Sequence, residues 1–338
     1  MPNSLGYPHR QPSSVHTRMS KLKPKLSRLG EPITTGLLRN RYRLFPRSLP
    51  PAPAPKFEVY SYEKSQPNPN RIPRIIWSYW SGSPMPLAVK ASFESWKRCN
   101  PDFEIHMLNE QTVHDYIPDA PDLSGHTTTK QTNWIRLELL RRYGGIWLDA
   151  TFFVTRSLNW VIEQQERTQS DFVGFYLKEF TTKPEFPVVE TWFLAAPPDS
   201  PMIRDWVAIL TEEVIVRKDA EYMEYLKGKG LFDQVVQNIA FPHYLTGHLS
   251  FQVILQRNQN YRMTLQSATE GPLFYHKLAD WKRKKLRNLL LFYKVTEPVP
   301  ALVKIRKPDR KHWDLHLGNQ VFVKDSFTAK YLVEPGQP

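Results

Sequence analysis

The chain contains one cysteine, Cys99, in 338 residues. An intrachain disulfide and a cysteine-built metal cluster are therefore excluded, and a lone thiol fits a reducing compartment. Long apolar runs are missing as well. No stretch of about 18 uncharged apolar residues occurs, so no membrane-spanning helix is expected. The N-terminus lacks the apolar segment of a signal peptide. Glycine is scarce, at 14 residues, and forms neither a phosphate-loop nor a dinucleotide motif. These absences predict a cytoplasmic chain, with at most peripheral membrane contact.

Acidic residues nearly vanish from the first 56 positions, where eleven Lys or Arg face Glu31 alone. That segment carries +10 of the formal +13 and leaves +3 for residues 57–338. The high pI of about 9.6 thus belongs to the leader. With no stacking module or zinc finger in the body, nucleic acid is not an expected partner. The leader also holds ten of the 30 prolines, including "LPPAPAP" at 49–55. Such composition buries too little apolar surface to offset ordering entropy, so residues 1–56 are expected to be disordered. Residues 57–338 are expected to form a single domain with a basic C-terminal segment.

What is present is a core-forming composition, 41% hydrophobic with 10 Trp. "IPRIIWSYW" from 72 reads as a first buried strand, and Ser83-Pro84 as a helix start. "FEIHMLN" is a second strand, followed by a short helix in "EQTVHDYI". Residues 129–143, "TKQTNWIRLELLRRY", have the period of a helix. Ile135, Leu139 and Tyr143 share a face with Trp134, while Arg136, Arg141 and Arg142 lie elsewhere. Gly144 ends that helix, and "GIWL" is the next strand. "DFVGFYL" (171–177) and "ETWFLAA" (190–196) are further strands, and helices are expected over 199–216 and 242–256. Alternating strands and helices predict an α/β sheet of mostly parallel character, with ligands at the carboxyl ends of the strands.

Asp149 closes the "GIWL" strand at that edge. As an isolated residue it reads as a turn cap. Three features point further. A carboxylate at the end of a strand buried on both faces needs a partner. Thr151 adds an oxygen two residues on, on the same side if the chain stays extended. No His or Cys lies nearby, so the partner implied is a hard cation, Mg²⁺ or Mn²⁺, shared with phosphates.

"IPRIIWSYWSG", "SWKRCNPDFEIHMLNEQTV", "NWIRLELLRRYGGIWLDAT" and "ETWFLAAPPDSPMIRDW", in this order, resemble the capsular polysaccharide synthesis family. That family is a branch of the DXD-type sugar transferases related to fungal initiating mannosyltransferases. The resemblance covers roughly residues 70–260, and "YGGIWLDAT" is its most specific piece. It implies a GT-A fold, a Rossmann-like nucleotide-sugar-binding sheet, and a divalent metal on the donor diphosphate. Asp149 takes the place of the first Asp of the DXD motif and Thr151 that of the second. Arg136 matches the Arg of the "SDxxR" helix, facing donor sugar or phosphates. Asn133 stands where related enzymes carry Asp. The resemblance further implies a nucleobase-stacking aromatic at the end of the first strand, Trp77 or Tyr79. It also implies a late ligand or phosphate contact, for which His276 is the candidate.

Other features have bland and functional readings side by side. Glu190 and Trp192 are either core or border of an acceptor cleft. His243 and His248 are five apart, which does not suit a shared metal. His312 and His316 are open. "KLADWKRKKLRNLLLFYK" (277–294) is either a solvated helix with one buried face or an amphipathic helix on anionic membrane. The resulting expectation is a metal-dependent, retaining glycosyltransferase. It would take a nucleotide-diphosphate sugar as donor and a glycan or lipid-linked hydroxyl as acceptor. The competing expectation is a nucleotide-sugar-fold scaffold that has lost catalysis.

Overall fold

A computed structural model describes residues 35–333. Its centre is a seven-stranded sheet built from β1 (Phe57–Ser61), β2 (Ile75–Tyr79), β3 (Glu104–Leu108), β4 (Gly145–Leu148), β6 (Phe172–Tyr176), β7 (Val189–Ala196) and β8 (Arg262–Ser267). The order is β1-β8-β6-β7-β4-β2-β3. The pairings make five strands run one way and leave β1 and β7 reversed. A separate two-stranded ladder joins β5 (Phe152–Val154) to β9 (Leu302–Lys304) in antiparallel register, Phe152 opposite Lys304. The expected mostly parallel α/β sheet is present.

The strand β4 is buried at every position, because helices cover both faces of the sheet. The helix Thr128–Tyr143 supports it from one side. The Thr127 hydroxyl caps its start by accepting from the Lys130 amide, and Gly144 ends it at φ 63°. Apolar periodicity places Arg136 off the core face, yet it is buried together with Lys130, Asn133 and Glu138. The helix is enclosed, so its polar residues are internal and need internal partners.

Several expectations shift. The helix expected to start at Ser83-Pro84 begins at Leu87. The helix expected over 199–216 runs Pro201–Ile209 and then widens into a π turn over Leu210–Val214. The stretch 277–294 is two helices, Phe274–Leu278 and Arg283–Phe292. Asp280 and Trp281 break it with positive φ. Leu286, Leu289, Leu290 and Phe292 face a second core with Leu49, Phe153, Tyr275, Trp313 and Phe327. The apolar face that membrane insertion would need is therefore filled by the protein itself.

The leader is corrected too. Residues 1–34 lie outside the described residues, but 35–56 are anchored to the body at a few points. Leu49 and Ala52 are buried. The Leu49 amide donates to Lys294 O at 2.8 Å and the Ala52 amide to Pro298 O at 2.7 Å. Tyr42 stacks on Phe292 with ring centroids 5.6 Å apart. Apolar side chains spaced among the prolines dock on the C-terminal segment, a long-range match that local composition cannot reveal. Among the described residues no helix is long and apolar enough to cross a membrane.

Candidate functional site

A cavity of about 690 Å³ opens at the carboxyl ends of β2, β4 and β6. Tyr79 ends β2 and Trp80 follows it, Asp149 to Thr151 follow β4, and Leu177, Glu179 and Phe180 follow β6. Because β7 is reversed, its first residues, Glu190 to Trp192, reach the same edge. Thr132, Asn133 and Arg136 come from the helix Thr128–Tyr143, and His248 from Thr246–Asn258.

The floor is Asp149, whose side chain is 29% exposed. Its amide donates to Trp192 O at 3.0 Å, and its carbonyl accepts from the Phe152 amide at 3.2 Å. The chain therefore turns after β4, so the extended course that would have put Thr151 on the same side is not taken. The turn still brings Thr151 beside Asp149. Lys304 reaches both: its ammonium lies 2.7 Å from Asp149 Oδ2 and 3.3 Å from Thr151 Oγ1. Pairing of β5 with β9 delivers it, reinforced by the Ile305 amide donating to Thr151 O at 2.9 Å. On the other side Trp147 Nε1 donates to Asp149 Oδ1 at 3.1 Å, and Arg136 stands 3.4 Å from the same oxygen.

Burial alone would raise the Asp149 pKa, but the charges of Lys304 and Arg136 outweigh it and hold the carboxyl below its usual range. Burial pulls the Lys304 ammonium down, and Asp149 partly restores it. Arg136 also donates from Nε to Thr132 O at 3.1 Å and from Nη1 to Thr191 O. It is pinned to two backbone carbonyls, and its charge is turned to Asp149.

Thr151 Oγ1 and Asp149 Oδ2 are the oxygens a divalent cation was expected to take. Lys304 already bridges them. A magnesium ion would need to lie about 2.0–2.1 Å from those oxygens, in the space the ammonium fills. His276, the expected late ligand, is fully buried, does not line the cavity, and bonds through Nε2 to Asp309 at 3.0 Å. No group of three or more His, Cys, Asp or Glu suited to a metal occurs among the described residues. The side chains present do not fit a divalent ion at Asp149.

Other expected residues separate cleanly. Trp77 is 2% exposed, donates to Gly144 O at 2.9 Å and stacks on His106, so it is core and cannot meet a base. Tyr79 lines the cavity beside Trp80, over which the Arg310 guanidinium sits at 5.2 Å. Asn133 lines it too, and its Oδ1 is buried without a hydrogen-bond partner. Glu190 meets His248 Nε2 at 3.2 Å, and Trp192 stacks with Phe175 while bordering the cavity. His312 and His316 do not line it.

Sequence reasoning missed "KIRKPDR" at 304–310, which closes the cavity with Lys304, Arg306, Lys307 and Arg310. Four bases in seven residues was the available signal. It was hidden because the body as a whole is nearly neutral. With Arg136 the cavity wall carries five basic side chains against three carboxylates, Asp149, Glu179 and Glu190.

The chain matches a family described as "Capsular polysaccharide synthesis protein" over residues 54–282, about two thirds of its length. The segment 304–310 lies beyond that match. Two relatives are similar over shorter spans. The "O-glycosyltransferase braB" of Annulohypoxylon truncatum is 26% identical over 158 residues, 40% of this chain and 36% of that protein. The "Putative glycosyltransferase HOC1" of Saccharomyces cerevisiae is 21% identical over 171 residues, 44% and 41% of the two chains. The match thus spans less than half of either relative. Among solved structures, the apo form of the glycosyltransferase GlyE in Streptococcus pneumoniae TIGR4 aligns at 13% identity with a TM-score of 0.39. It covers 72% of this chain and 56% of that one, a likeness too loose to transfer any feature.

Proposed function

The chain belongs to the capsular polysaccharide synthesis protein family, and from that premise we propose that it is a glycosyltransferase of GT-A type. It moves a sugar from a nucleotide-diphosphate donor to a hydroxyl of a glycan or lipid-linked acceptor. The observation that carries this reading is the cavity at the carboxyl edge of the sheet, ringed by more cations than carboxylates around the Asp149–Lys304 pair.

In this reading the diphosphate lies against Lys304, Arg306 and Arg310, and Tyr79 or Trp80 offers a face to the base. The bond from sugar C1 to the phosphate oxygen breaks, and its electron pair stays on the departing nucleotide. Fixed cations stabilise that developing charge without reorganising. The acceptor oxygen bonds to C1, and its proton passes to the departing phosphate oxygen. That transfer requires attack on the face the nucleotide leaves, which is the retaining outcome the family resemblance implies. Asp149, itself faced by Arg136, positions Lys304; Asn133 Oδ1 accepts from a donor hydroxyl.

A second reading, a scaffold that binds donor without turnover, is favoured by one feature. Asn133 gives the cavity an amide where the resemblance carries a carboxylate. Thermal stabilisation and slow hydrolysis across a panel of nucleotide sugars, with Asp149→Ala alongside, separate the two. Donor stabilisation with hydrolysis or transfer is the expected result, and stabilisation alone selects the scaffold. No stabilisation by any donor, with or without Mn²⁺, sinks both.

A further inference from the structure

We infer that Lys304 stands in for the divalent cation, so that side-chain charge alone holds the donor diphosphate and binding needs no metal. The inference rests on the transferase reading above and specifies how its donor site works. It begins from occupancy. Asp149 Oδ2 and Thr151 Oγ1 accept from one ammonium, at 2.7 and 3.3 Å, and Asp149 Oδ1 is taken by Trp147 at 3.1 Å with Arg136 at 3.4 Å. Both carboxylate oxygens are engaged before any ligand arrives.

Lys304 is also held in place. It closes β9 opposite Phe152, its amide donates to Pro272 O at 3.1 Å, and its side chain is only 7% exposed. Its ammonium lies 4.9 Å from the centre of the Phe152 ring. Swinging out to admit a metal would leave Thr151 Oγ1 and Asp149 Oδ2 without this donor, at the cost of two hydrogen bonds. A divalent ion beside a retained ammonium would meet direct charge repulsion instead.

The donor capacity matches a phosphate. An ammonium has three N–H groups, and two go to Asp149 and Thr151. The third is left for a ligand in the cavity that Lys304 lines. Arg306 and Arg310 add planar guanidinium forks, which suit phosphate oxygens. Arg306 is steadied by Asp309 at 2.7 Å and by Trp281 beneath it at 5.1 Å. Asp149 then acts as the positioning partner of Lys304, which explains a carboxylate at the ligand edge without a metal.

The test uses the full chain, stripped with EDTA, and a panel of uridine, guanosine and cytidine diphosphates with their sugar conjugates. Calorimetry measures binding in EDTA and again with 1 mM Mn²⁺, and free Mn²⁺ is titrated separately by electron paramagnetic resonance. Expected is binding in EDTA that Mn²⁺ changes by less than about threefold, with no stoichiometric Mn²⁺ uptake. Lys304→Met should weaken binding about tenfold or more and Lys304→Arg should retain most of it, both measured at a temperature where each variant is folded. Binding that appears only with Mn²⁺ would overturn the inference and leave the transferase reading intact. So would stoichiometric Mn²⁺ uptake by the unaltered chain that is lost in Asp149→Ala, whatever the fate of the Lys304 variants. No binding under either condition overturns the transferase reading itself.

Discussion

Arg136 stands 3.4 Å from Asp149 across the gap between a helix and a strand end, and the guanidinium does three things at once. It faces the carboxylate, donates to Thr132 O one turn back, and donates to Thr191 O on β7. Helix, β4 and β7 are thereby locked around the cavity floor by one side chain. Lysine can replace the charge but not the fork. Arg136→Lys is expected to lose about 2–3 kcal/mol through two forfeited charged hydrogen bonds. Melting should drop by several degrees, and donor binding should weaken because Asp149 and Lys304 lose their alignment. Calorimetric unfolding and donor titration check it. Unchanged melting would show that the lock carries no weight.

Asn133 makes the opposite case. Its Oδ1 is buried, lines the cavity and accepts nothing. A buried acceptor with no partner stabilises nothing, so removing it should cost the fold little. Asn133→Ala is expected to change stability by less than about 1 kcal/mol while weakening donor binding about tenfold, one hydrogen bond's worth. Equal losses in both measurements would mean a packing role.

The parts of this molecule legible in its sequence are those written locally. The "GIWL" strand, the helix before it and Asp149 at its end follow from period, glycine caps and the cost of a buried charge. What was not legible depends on distant chain meeting distant chain. Lys304 is 155 residues from Asp149, and the β5–β9 ladder brings the two together. Arg136 looked peripheral because helical periodicity ranks side chains by apolarity. It is internal because β7 packs over that face. Trp77 and Tyr79 are two residues apart and look interchangeable. Trp77 turns its indole to Gly144 O, while Tyr79, at the strand end, reaches the cavity. The leader misled for the same reason: prolines describe the chain's stiffness, not the groove that Leu49 finds.

Asp309, buried beside the cavity wall, accepts from the buried His276 Nε2 at 3.0 Å and from Arg306 Nε at 2.7 Å. Burial would raise the Asp309 pKa, but these two partners outweigh it and hold the carboxyl low. Burial keeps His276 below its ordinary value despite Asp309. Both folded pKa values are depressed, so both signs agree. The unfolded chain takes up protons first, at about 6.5 for the imidazole and about 3.9 for the carboxyl. Stability is then complete above about pH 6.5 and declines as pH falls through those values. Asp309→Asn should lower stability at pH 7 by about 3 kcal/mol, the order for one partner removed from a buried pair. It should also flatten the acid end of the profile. Melting curves from pH 8 down to about pH 2 check it, and an equally steep decline below about pH 4 in the variant would refute the assignment.

Gly145 opens the strand that ends in Asp149, and its backbone sits at φ +103°. A Cβ there would lie 2.7 Å from Ile75 O and 3.2 Å from Trp77 Nε1. The contact is with the backbone of β2, the parallel neighbour of β4, which cannot swing aside as a side chain can. Strain at such a φ costs about 1–3 kcal/mol for a residue with a side chain, and the clash adds to it. Gly145→Ala is therefore expected to destabilise by more than about 3 kcal/mol, or to shift β4 along β2. A shift carries Asp149 away from Lys304, so donor binding should fall even at temperatures where the variant remains folded. Gly228, where an added Cβ would meet no heavy atom within 4 Å, is the control. Gly228→Ala ends a surface helix and should alter neither melting by more than about 1 kcal/mol nor donor binding. Identical behaviour of the two variants would show that the close approach of β4 to β2 does not set the position of Asp149.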